Sequence, residues 1–285
     1  MIIKENFDLS AYNAYGLKVH CAKAIFPETE EELVNLFREE LDQPRIILGN
    51  GNNVILGKSS YEQSFIIFNG SFNKIWIDKN HIIAQAGATL EQFSVSALNN
   101  NLSGAEIFYD IPSSVGGAVV MNAGASGEEI KNILFKVRYL DLEDLQVKEI
   151  FKEDIGFEYR NSFFQKNTDK IVLKAWFNLR PGNRETISLK MDATKANRWA
   201  KQPRNYPNCG SVFKRPQGKF VGPMIDELGL KGFTIGGAQV SEKHSGFIVN
   251  LGGATGEDIL DLIKHIQNKV KDKFDILLEV EQRII

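Results

Sequence analysis

Two stretches of this chain have the composition of a backbone cradle for a phosphate group. Asp110 to Gly127 reads DIPSSVGGAVVMNAGASG, small residues with little charge. Gly116, Gly117, Gly124 and Gly127 let backbone approach a partner closely and permit positive φ at a turn. Pro112 suits the first position of a helix, where its missing N–H costs nothing. Ser113 and Ser114 would then offer hydroxyls and free N–H groups at the helix start, a natural anion site. The second stretch, Ile46 to Leu56, reads IILGNGNNVIL: an apolar strand, a Gly/Asn turn, another apolar strand. Asparagine tolerates left-handed backbone and bonds to neighbouring peptides, so Gly49, Asn50, Gly51, Asn52 and Asn53 make a second concave, donor-rich turn. Such loops can hold a diphosphate through main-chain donors alone. Taken singly, either glycine set is better explained by close packing of a helix on a sheet. The presence of two such loops favours the cradle.

Neither loop is a common nucleotide fingerprint. The third glycine position after Gly49 and Gly51 holds Val54, a strand follows instead of a helix, and no Gly-Lys-Ser/Thr is present.

Three polar groups of residues stand against the apolar scaffold. Phe157 to Ser162 contains Tyr159 and Arg160; Asn208 to Pro216 contains Cys209, Ser211, Lys214 and Arg215; Glu279 to Arg283 contains Glu281. In a strand the side chains of Glu279, Glu281 and Arg283 share one face. Each has an ordinary explanation: a surface ion pair for Arg160, a turn hydroxyl for Ser211, a solvated edge strand for the charges.

The chain has 285 residues, enough for one large domain or two, and 43% hydrophobic residues, enough for a core. A net charge of -2 gives no general attraction to nucleic acid. No long apolar run predicts a membrane span or secretion signal, so a soluble cytoplasmic protein is expected. Cys21 and Cys209 are too few for a disulfide framework, and four scattered histidines show no metal-ligand spacing, so no metal is expected.

The elements that must carry these residues follow from local patterns. Thr29 to Glu32 is a capping box before Leu33, Leu36, Phe37 and Leu41 at helical spacing. With the strand Arg45–Leu48, Lys23 to Leu56 reads as a small strand–helix–strand unit. Strands are expected at Phe65–Phe68, Ile75–Ile77, Ile82–Ala86, Ile133–Leu140, Val147–Phe151 and Ile171–Leu179. A helix capped by Thr89 runs to about Asn100. Arg180-Pro181-Gly182-Asn183 reads as a linker before a helix from Thr186 to about Gln202. Beyond it come strands Phe233–Val240 and Phe247–Leu251, a helix capped by Thr255, and a last strand, Ile276 to Ile285.

The joint pattern resembles the UDP-N-acetylenolpyruvoylglucosamine reductases. That family carries Gly-Ile-Pro-Gly-x-x-Gly-Gly-Ala followed by Met-Asn-Ala-Gly-Ala; this chain has Ile111-Pro112, Gly116-Gly117-Ala118 and Met121-Asn122-Ala123-Gly124-Ala125. Leu48 to Asn53 resembles its Leu-Gly-x-Gly-Ser-Asn turn, and Tyr159 to Phe164 its Tyr-Arg-x-Ser-x-Phe. Gly210 to Lys214 matches Gly-Ser-x-Phe-Lys, and Glu281-Gln282-Arg283 resembles Glu-Val-Arg. The matches keep the family's order from about Asn13 to the end, and the length resembles its shorter subtype.

The resemblance implies an α+β chain with a bipartite FAD-binding domain of the vanillyl-alcohol-oxidase type over 1–182, its subdomains at about 1–56 and 57–182. One subdomain is a small α/β unit, the other a larger mixed sheet with helices. A smaller α/β substrate domain follows over 183–285. It implies non-covalent FAD, NADPH as hydride donor, and reduction of the enolpyruvyl ether of UDP-N-acetylglucosamine to UDP-N-acetylmuramate for peptidoglycan. Hydride would pass from flavin N5 to substrate C3. Arg160 and Glu281 correspond to the stabilisers of the resulting enolate, and Ser211 to the proton donor at C2. The flavin contacts would include Gly49 to Asn53, Pro112, Ser113, Ser114, Gly116, Gly117, Asn122, Ala123, Gly124 and Arg198. Tyr159, Lys214, Arg215 and Arg283 are the expected substrate contacts. The expected partner is a small nucleotide sugar, with no nucleic acid or membrane insertion, and the expected state is a monomer. The alternatives are a flavin-binding protein that lost the reaction, or an oxidase of the same superfamily.

The chain departs from the motifs at four places. Asp110 and Ser113 replace glycines, Asn52 replaces the turn serine, and Arg215 replaces the asparagine of Lys-Asn-Pro. A carboxylate at Asp110 should repel a pyrophosphate unless it points away.

Overall fold

The computed structural model describes residues 1–39 and 43–285. Leu41, assigned above to the first helix, lies outside the described residues. In chain order the strands are β1 (Ile2–Asp8), β2 (His20–Phe26), β3 (Arg45–Leu48), β4 (Val54–Ile55), β5 (Ser60–Ile67), β6 (Ile75–Asp78), β7 (His81–Gln85), β8 (Leu102–Ser103), β9 (Gly124–Ala125), β10 (Glu128–Glu129), β11 (Leu134–Asp141), β12 (Gln146–Phe151), β13 (Lys170–Asn178), β14 (Arg180–Pro181), β15 (Thr234–Ile235), β16 (Ala238–Val240), β17 (Ile248–Asn250) and β18 (Arg283–Ile284). The α-helices are α1 (Glu30–Glu39), α2 (Leu90–Asn99), α3 (Val115–Val120), α4 (Phe163–Lys166), α5 (Arg184–Lys201), α6 (Val221–Glu227) and α7 (Gly256–Phe274). The chain forms two compact units: Met1–Lys4, Ala24–Asn50 and Gln63–Arg198, and Glu5–Lys23, Gly51–Glu62 and Trp199–Ile285.

The first unit is built on an antiparallel sheet of order β12-β11-β13-β7-β6. Alternation of apolar residues drives it, since Val172 of β13 faces Tyr139 of β11, and Ala175 faces Ala84 of β7. Helices α2 and α3 bury Phe93, Ala97, Ala118 and Val119 in the same core, where the Phe93 ring lies 4.7 Å from Phe177. Helix α2 has its complete capping box: Gln92 N–H donates to Thr89 Oγ1 (3.0 Å) and Thr89 N–H to Gln92 Oε1 (2.9 Å). The box expected at α1 is only half formed. Thr29 Oγ1 accepts from Glu32 N–H (3.1 Å), but the Glu32 carboxylate takes the Glu28 N–H and the N-terminal ammonium instead. Beside α1, β3 pairs in parallel with β5, Arg45 opposite Ser64.

The expected linker is tied down. Arg180 and Pro181 pair with Ser103 and Leu102, and Gly182 N–H donates to Asn101 O (2.8 Å). Helix α5 begins two residues earlier than predicted, with Asn183 Oδ1 accepting the Thr186 N–H (3.0 Å).

In the second unit, α7 lays Ile259, Leu262, Ile263, Ile266 and Val270 on the hairpin sheet β15-β16-β17. Two predicted strands are shorter or divided. Phe233–Val240 is a hairpin because Gly236, at φ +53°, turns the chain against the Asp258 carboxylate, where a Cβ would fall 2.2 Å from Oδ1. Ile276 to Ile285 is an extended run with one bridge at Val280 and a strand only at β18, which pairs in parallel with β4. The chain bends at Gln282, whose buried side chain bonds away from the ladder.

At one end of the first unit's sheet, Lys170 Nζ lies among three carboxylates, 2.6 Å from Asp141, 3.2 Å from Glu143 and 2.6 Å from Asp169. Lys148 adds a second bond to Asp141 at 2.7 Å. Burial alone would raise the Asp141 carboxyl, but the bonds from both lysines and the Glu143 amide outweigh it and hold the group at about 2. A carboxyl held below its unfolded value of about 4 stabilises the fold above that pH and ceases to as pH falls through its folded value. Asp141→Asn should therefore lower the urea midpoint at pH 7. Urea titrations repeated at falling pH should show the gap to wild type closing between about pH 4 and 2; a gap unchanged down to the lower limit would contradict this.

Candidate active site

In the first unit the two glycine loops meet. A Cβ on Gly49 would fall 2.5 Å from Ser114 Oγ, so glycine lets the β3 turn approach the start of α3 without displacing the Ser114 hydroxyl. Ser114 is the N-cap of α3: its backbone is extended and its hydroxyl accepts the Gly117 N–H at 3.2 Å. The helix therefore starts at Val115, and not at the predicted Pro112. The reason is a bridge to the start of α2: Leu90 N–H donates to Ser113 O (2.9 Å) and Val115 N–H to Ala88 O (2.8 Å), which keeps this segment extended.

The glycines of α3 pack. Gly116 N–H bonds Ala86 O at 2.9 Å, and a Cβ there would lie 2.9 Å from Ala86 Cβ. Other groups are left for a ligand. Among the described residues the amides of Gly49, Asn50, Ser113 and Ser114 donate to no protein acceptor. Asn50 Oδ1 is buried without a partner. Buried polar groups are nearly always satisfied, so this orphan atom and these open donors fit a bound polar group. They suit a diphosphate, which takes several N–H donors at once.

The charge of Asp110 is answered. Arg198 Nε lies 3.0 Å from Asp110 Oδ2, with both side chains largely buried. The departure that should repel a pyrophosphate thus carries its own countercharge, and Arg198 is engaged by Asp110.

The Met121–Ala125 loop and the Tyr159–Ser162 turn form one structure. Asn122 is fully buried at φ +45°, donating to Glu158 O (3.0 Å) and accepting from Lys131 N–H (3.3 Å). Ser162 Oγ donates to Val120 O at 2.7 Å. The Arg160 guanidinium donates to Asn122 O (3.3 Å) and Gly124 O (2.9 Å) and lies over the Tyr159 ring, 5.0 Å from its centroid. Arg160 itself sits at φ +53°, a left-handed conformation that costs a non-glycine residue energy. Ala123 fixes the loop by accepting from Ile130 N–H and donating to Ala118 O, each at 2.8 Å.

In the second unit Ser211 and Glu281 lie on neighbouring antiparallel segments. Glu281 N–H donates to Val212 O (2.8 Å) and Lys214 N–H to Glu279 O (2.9 Å), with Phe213 bridged to Val280. Gly210 at φ +78° turns the chain before the exposed Ser211. Asn53 closes on the same segment, its Nδ2 donating to Glu281 O (3.3 Å) and its carbonyl accepting from Arg283 N–H (2.9 Å). Gly51 and Asn52 belong to this unit too, and their amides donate to no protein acceptor among the described residues. Lys214 is paired with Glu279 at 2.6 Å, and Arg215 lies over the Phe220 ring at 4.6 Å. The single charged face predicted for Glu279, Glu281 and Arg283 is broken by the bend at Gln282. Two polar residues escaped the sequence reading: buried Gln282 and Tyr15, bonded to one another at 2.9 Å. Gln282 looked like one more strand residue, and nothing in the sequence connects it with Tyr15.

A donor-rich turn on a parallel α/β unit, together with a larger antiparallel sheet whose helix starts at the second loop, defines a flavin-binding protein. The FAD binding domain model matches residues 22–147, and residues 202–285 match the C-terminal domain of UDP-N-acetylenolpyruvoylglucosamine reductase. The reductase of Francisella tularensis is 41% identical over 285 residues, 99% of this chain and all of that protein. That of Clostridium perfringens is 44% identical over 263 residues, 92% of this chain and 86% of that protein. The crystal structure of the reductase from Thermus caldophilus superposes with a TM-score of 0.84 at 30% identity, covering 99% of both chains. The chain belongs to the UDP-N-acetylenolpyruvoylglucosamine reductase family and is of its short type.

If Arg198 serves the flavin loop by neutralising Asp110, Arg198→Met removes that countercharge from a largely buried carboxylate. FAD affinity, read by titrating apoprotein and following flavin fluorescence, should fall about tenfold or more. The double variant Asp110→Asn/Arg198→Met should regain most of the loss. A double variant as weak as the single would mean that Arg198 acts on the cofactor independently of Asp110.

Proposed function

We propose that the chain reduces the enolpyruvyl ether of UDP-N-acetylglucosamine to UDP-N-acetylmuramate in peptidoglycan synthesis, with Arg160, Ser211 and Glu281 as its catalytic residues. The observation that carries this reading is Arg160, held in a strained backbone conformation with its guanidinium fixed by two carbonyls. Such a clamp pre-sets a cation before substrate arrives, and preorganised charge is what stabilises a developing oxyanion.

FAD, when bound, supplies the hydride for substrate C3 after NADPH has delivered it. The loop amides at Gly49 to Asn53, Ser113 and Ser114 would hold its diphosphate, with Pro112, Gly116, Gly117, Asn122, Ala123 and Gly124 shaping that wall and Arg198 balancing the charge of Asp110. Negative charge then grows on the substrate carboxylate. Arg160 meets it as a fixed cation, and Glu281, which donates a hydrogen bond only when protonated, meets it as a donor. Ser211 delivers the proton to C2; its hydroxyl is exposed on a rigid turn and bonded to no protein group among the described residues. Tyr159, Lys214, Arg215 and Arg283 orient the nucleotide sugar. By function, residues 1–182 serve the flavin, with subdomains at about 1–56 and 57–182, and 183–285 serve the substrate. The protein works as a cytoplasmic monomer on a small-molecule partner. Among the described residues no helix is long and apolar enough to cross a membrane.

Ser211→Ala should bind FAD and be reduced by NADPH at the wild-type rate, yet be reoxidised by substrate about a hundred- to ten-thousand-fold more slowly. Ser211→Cys, with a more acidic group of similar size, should recover part of that rate. Stopped-flow absorbance resolves the two half-reactions. A Ser211→Ala protein within a few-fold of wild type in the second would remove Ser211 from the chemistry and leave Glu281 as the next candidate acid.

A further inference from the structure

Gln282 makes a set of bonds that the proposed chemistry has not used. It is 3% exposed, and its Nε2 lies 3.2 Å from Cys209 O, 3.3 Å from Gly210 O and 3.3 Å from Ser211 O. Its Oε1 accepts from the hydroxyl of Tyr15, which is fully buried, at 2.9 Å. That bond decides the orientation of the amide. With Oε1 on a hydroxyl donor, Nε2 must face the carbonyls, and the reverse orientation would set an oxygen against three oxygens. One side chain therefore grips three successive peptide groups that end at Ser211.

The turn needs that grip. Gly210 is at φ +78°, where glycine has wide freedom, and no atom lies within 4 Å of the position its Cβ would take. Ser211 itself is exposed. On the far side, Val212 is fixed by Gly246 O (3.0 Å) and by the N–H of Glu281 (2.8 Å), the residue before Gln282. The family motif has valine at the position of Gln282, and valine could not make these bonds. We infer that Gln282, oriented by Tyr15, is a positioning residue that sets the direction of the Ser211 hydroxyl relative to Glu281 through the three carbonyls of the Cys209–Ser211 turn. The inference rests on the assignment of Ser211 as proton donor.

The test is a mutant cycle on the holoenzyme. Gln282→Met keeps the length and burial but removes the amide. It should slow reoxidation by substrate about ten- to hundredfold, the scale of a small misplacement of a reacting group. Flavin content and reduction by NADPH should not change. Tyr15→Phe keeps the amide and frees its orientation, so it should slow the same step by less, and it serves as the second variant should Gln282→Met fold poorly. In the Ser211→Ala background, adding Gln282→Met should cause no further slowing, because the group it positions is gone. Equal slowing of both half-reactions, a rate within twofold of wild type in Gln282→Met and Tyr15→Phe alike, or a full second loss in the Ser211→Ala background would each overturn the inference. The single variant Ser211→Ala tests the underlying assignment separately. If it is silent, the donor has been misassigned whatever Gln282 does; if it stalls while the cycle is additive, only the positioning role fails.

Discussion

The binding surface of the first unit depends on the missing side chain of Gly49. A Cβ there would fall 2.5 Å from Ser114 Oγ, so any other residue would force the Ser114 hydroxyl off its cap on the Gly117 N–H or shift the β3 turn. Once they touch, each loop is held by its own element. The bridge from α2 keeps Ser113 and Ser114 extended, and Ser114 caps the short helix behind them. The amides that remain unused are those facing no other protein group, and the buried Asn50 oxygen among them has no partner to satisfy it. An unsatisfied buried polar atom costs free energy in the folded chain, on the order of 1–3 kcal/mol. A ligand that satisfies it recovers that cost. Gly49 and Gly116 both remove atoms so that neighbouring groups can come close, and Gly49 also leaves its own amide open beside those of Asn50, Ser113 and Ser114.

Rigidity is obtained the same way around the chemical groups. Two backbone carbonyls, those of Asn122 and Gly124, orient the Arg160 guanidinium, and as neutral acceptors they do so without cancelling its charge. Its left-handed backbone persists because Asn122 ties the adjoining loop to Glu158. Ser211 is placed by hydrogen bonds to backbone oxygens on both sides of it. Where a charge is misplaced for the cofactor, at Asp110, a second charge is set against it. Side chains such as Asn122 and Gln282 are spent on fixing backbone beside the residues proposed to react.

Much of this could be read from the chain itself, and the exceptions share a cause. The helices capped by Thr89 and Thr255 were legible because capping is local. The two donor-rich loops were legible because glycine and asparagine clusters have few other uses. Their meeting was not, since nothing local links Gly49 to Ser114. The start of α3 was misread for the same reason: Pro112 can open a helix, but the bridge from α2 overrules it. At the last segment, alternating charges suggested a regular strand. The bend at Gln282 answers to Tyr15, 267 positions earlier in the chain, and no pattern within the segment could reveal it. The charge at Asp110 looked like a defect until its pairing with Arg198, 88 positions away, was visible.

Everything proposed for Arg160, Ser211 and Glu281 requires that this chain carry a flavin able to pass its electrons to an enolpyruvyl nucleotide sugar. The direct measurement is made without oxygen on the wild-type protein: reduce the bound flavin with one equivalent of NADPH, add the enolpyruvyl ether of UDP-N-acetylglucosamine, and follow the flavin absorbance and the product. The oxidised flavin spectrum should return, and UDP-N-acetylmuramate should form in equal amount. A flavin that stays reduced with this substrate, and is reoxidised only when oxygen is admitted, would rule the reaction out.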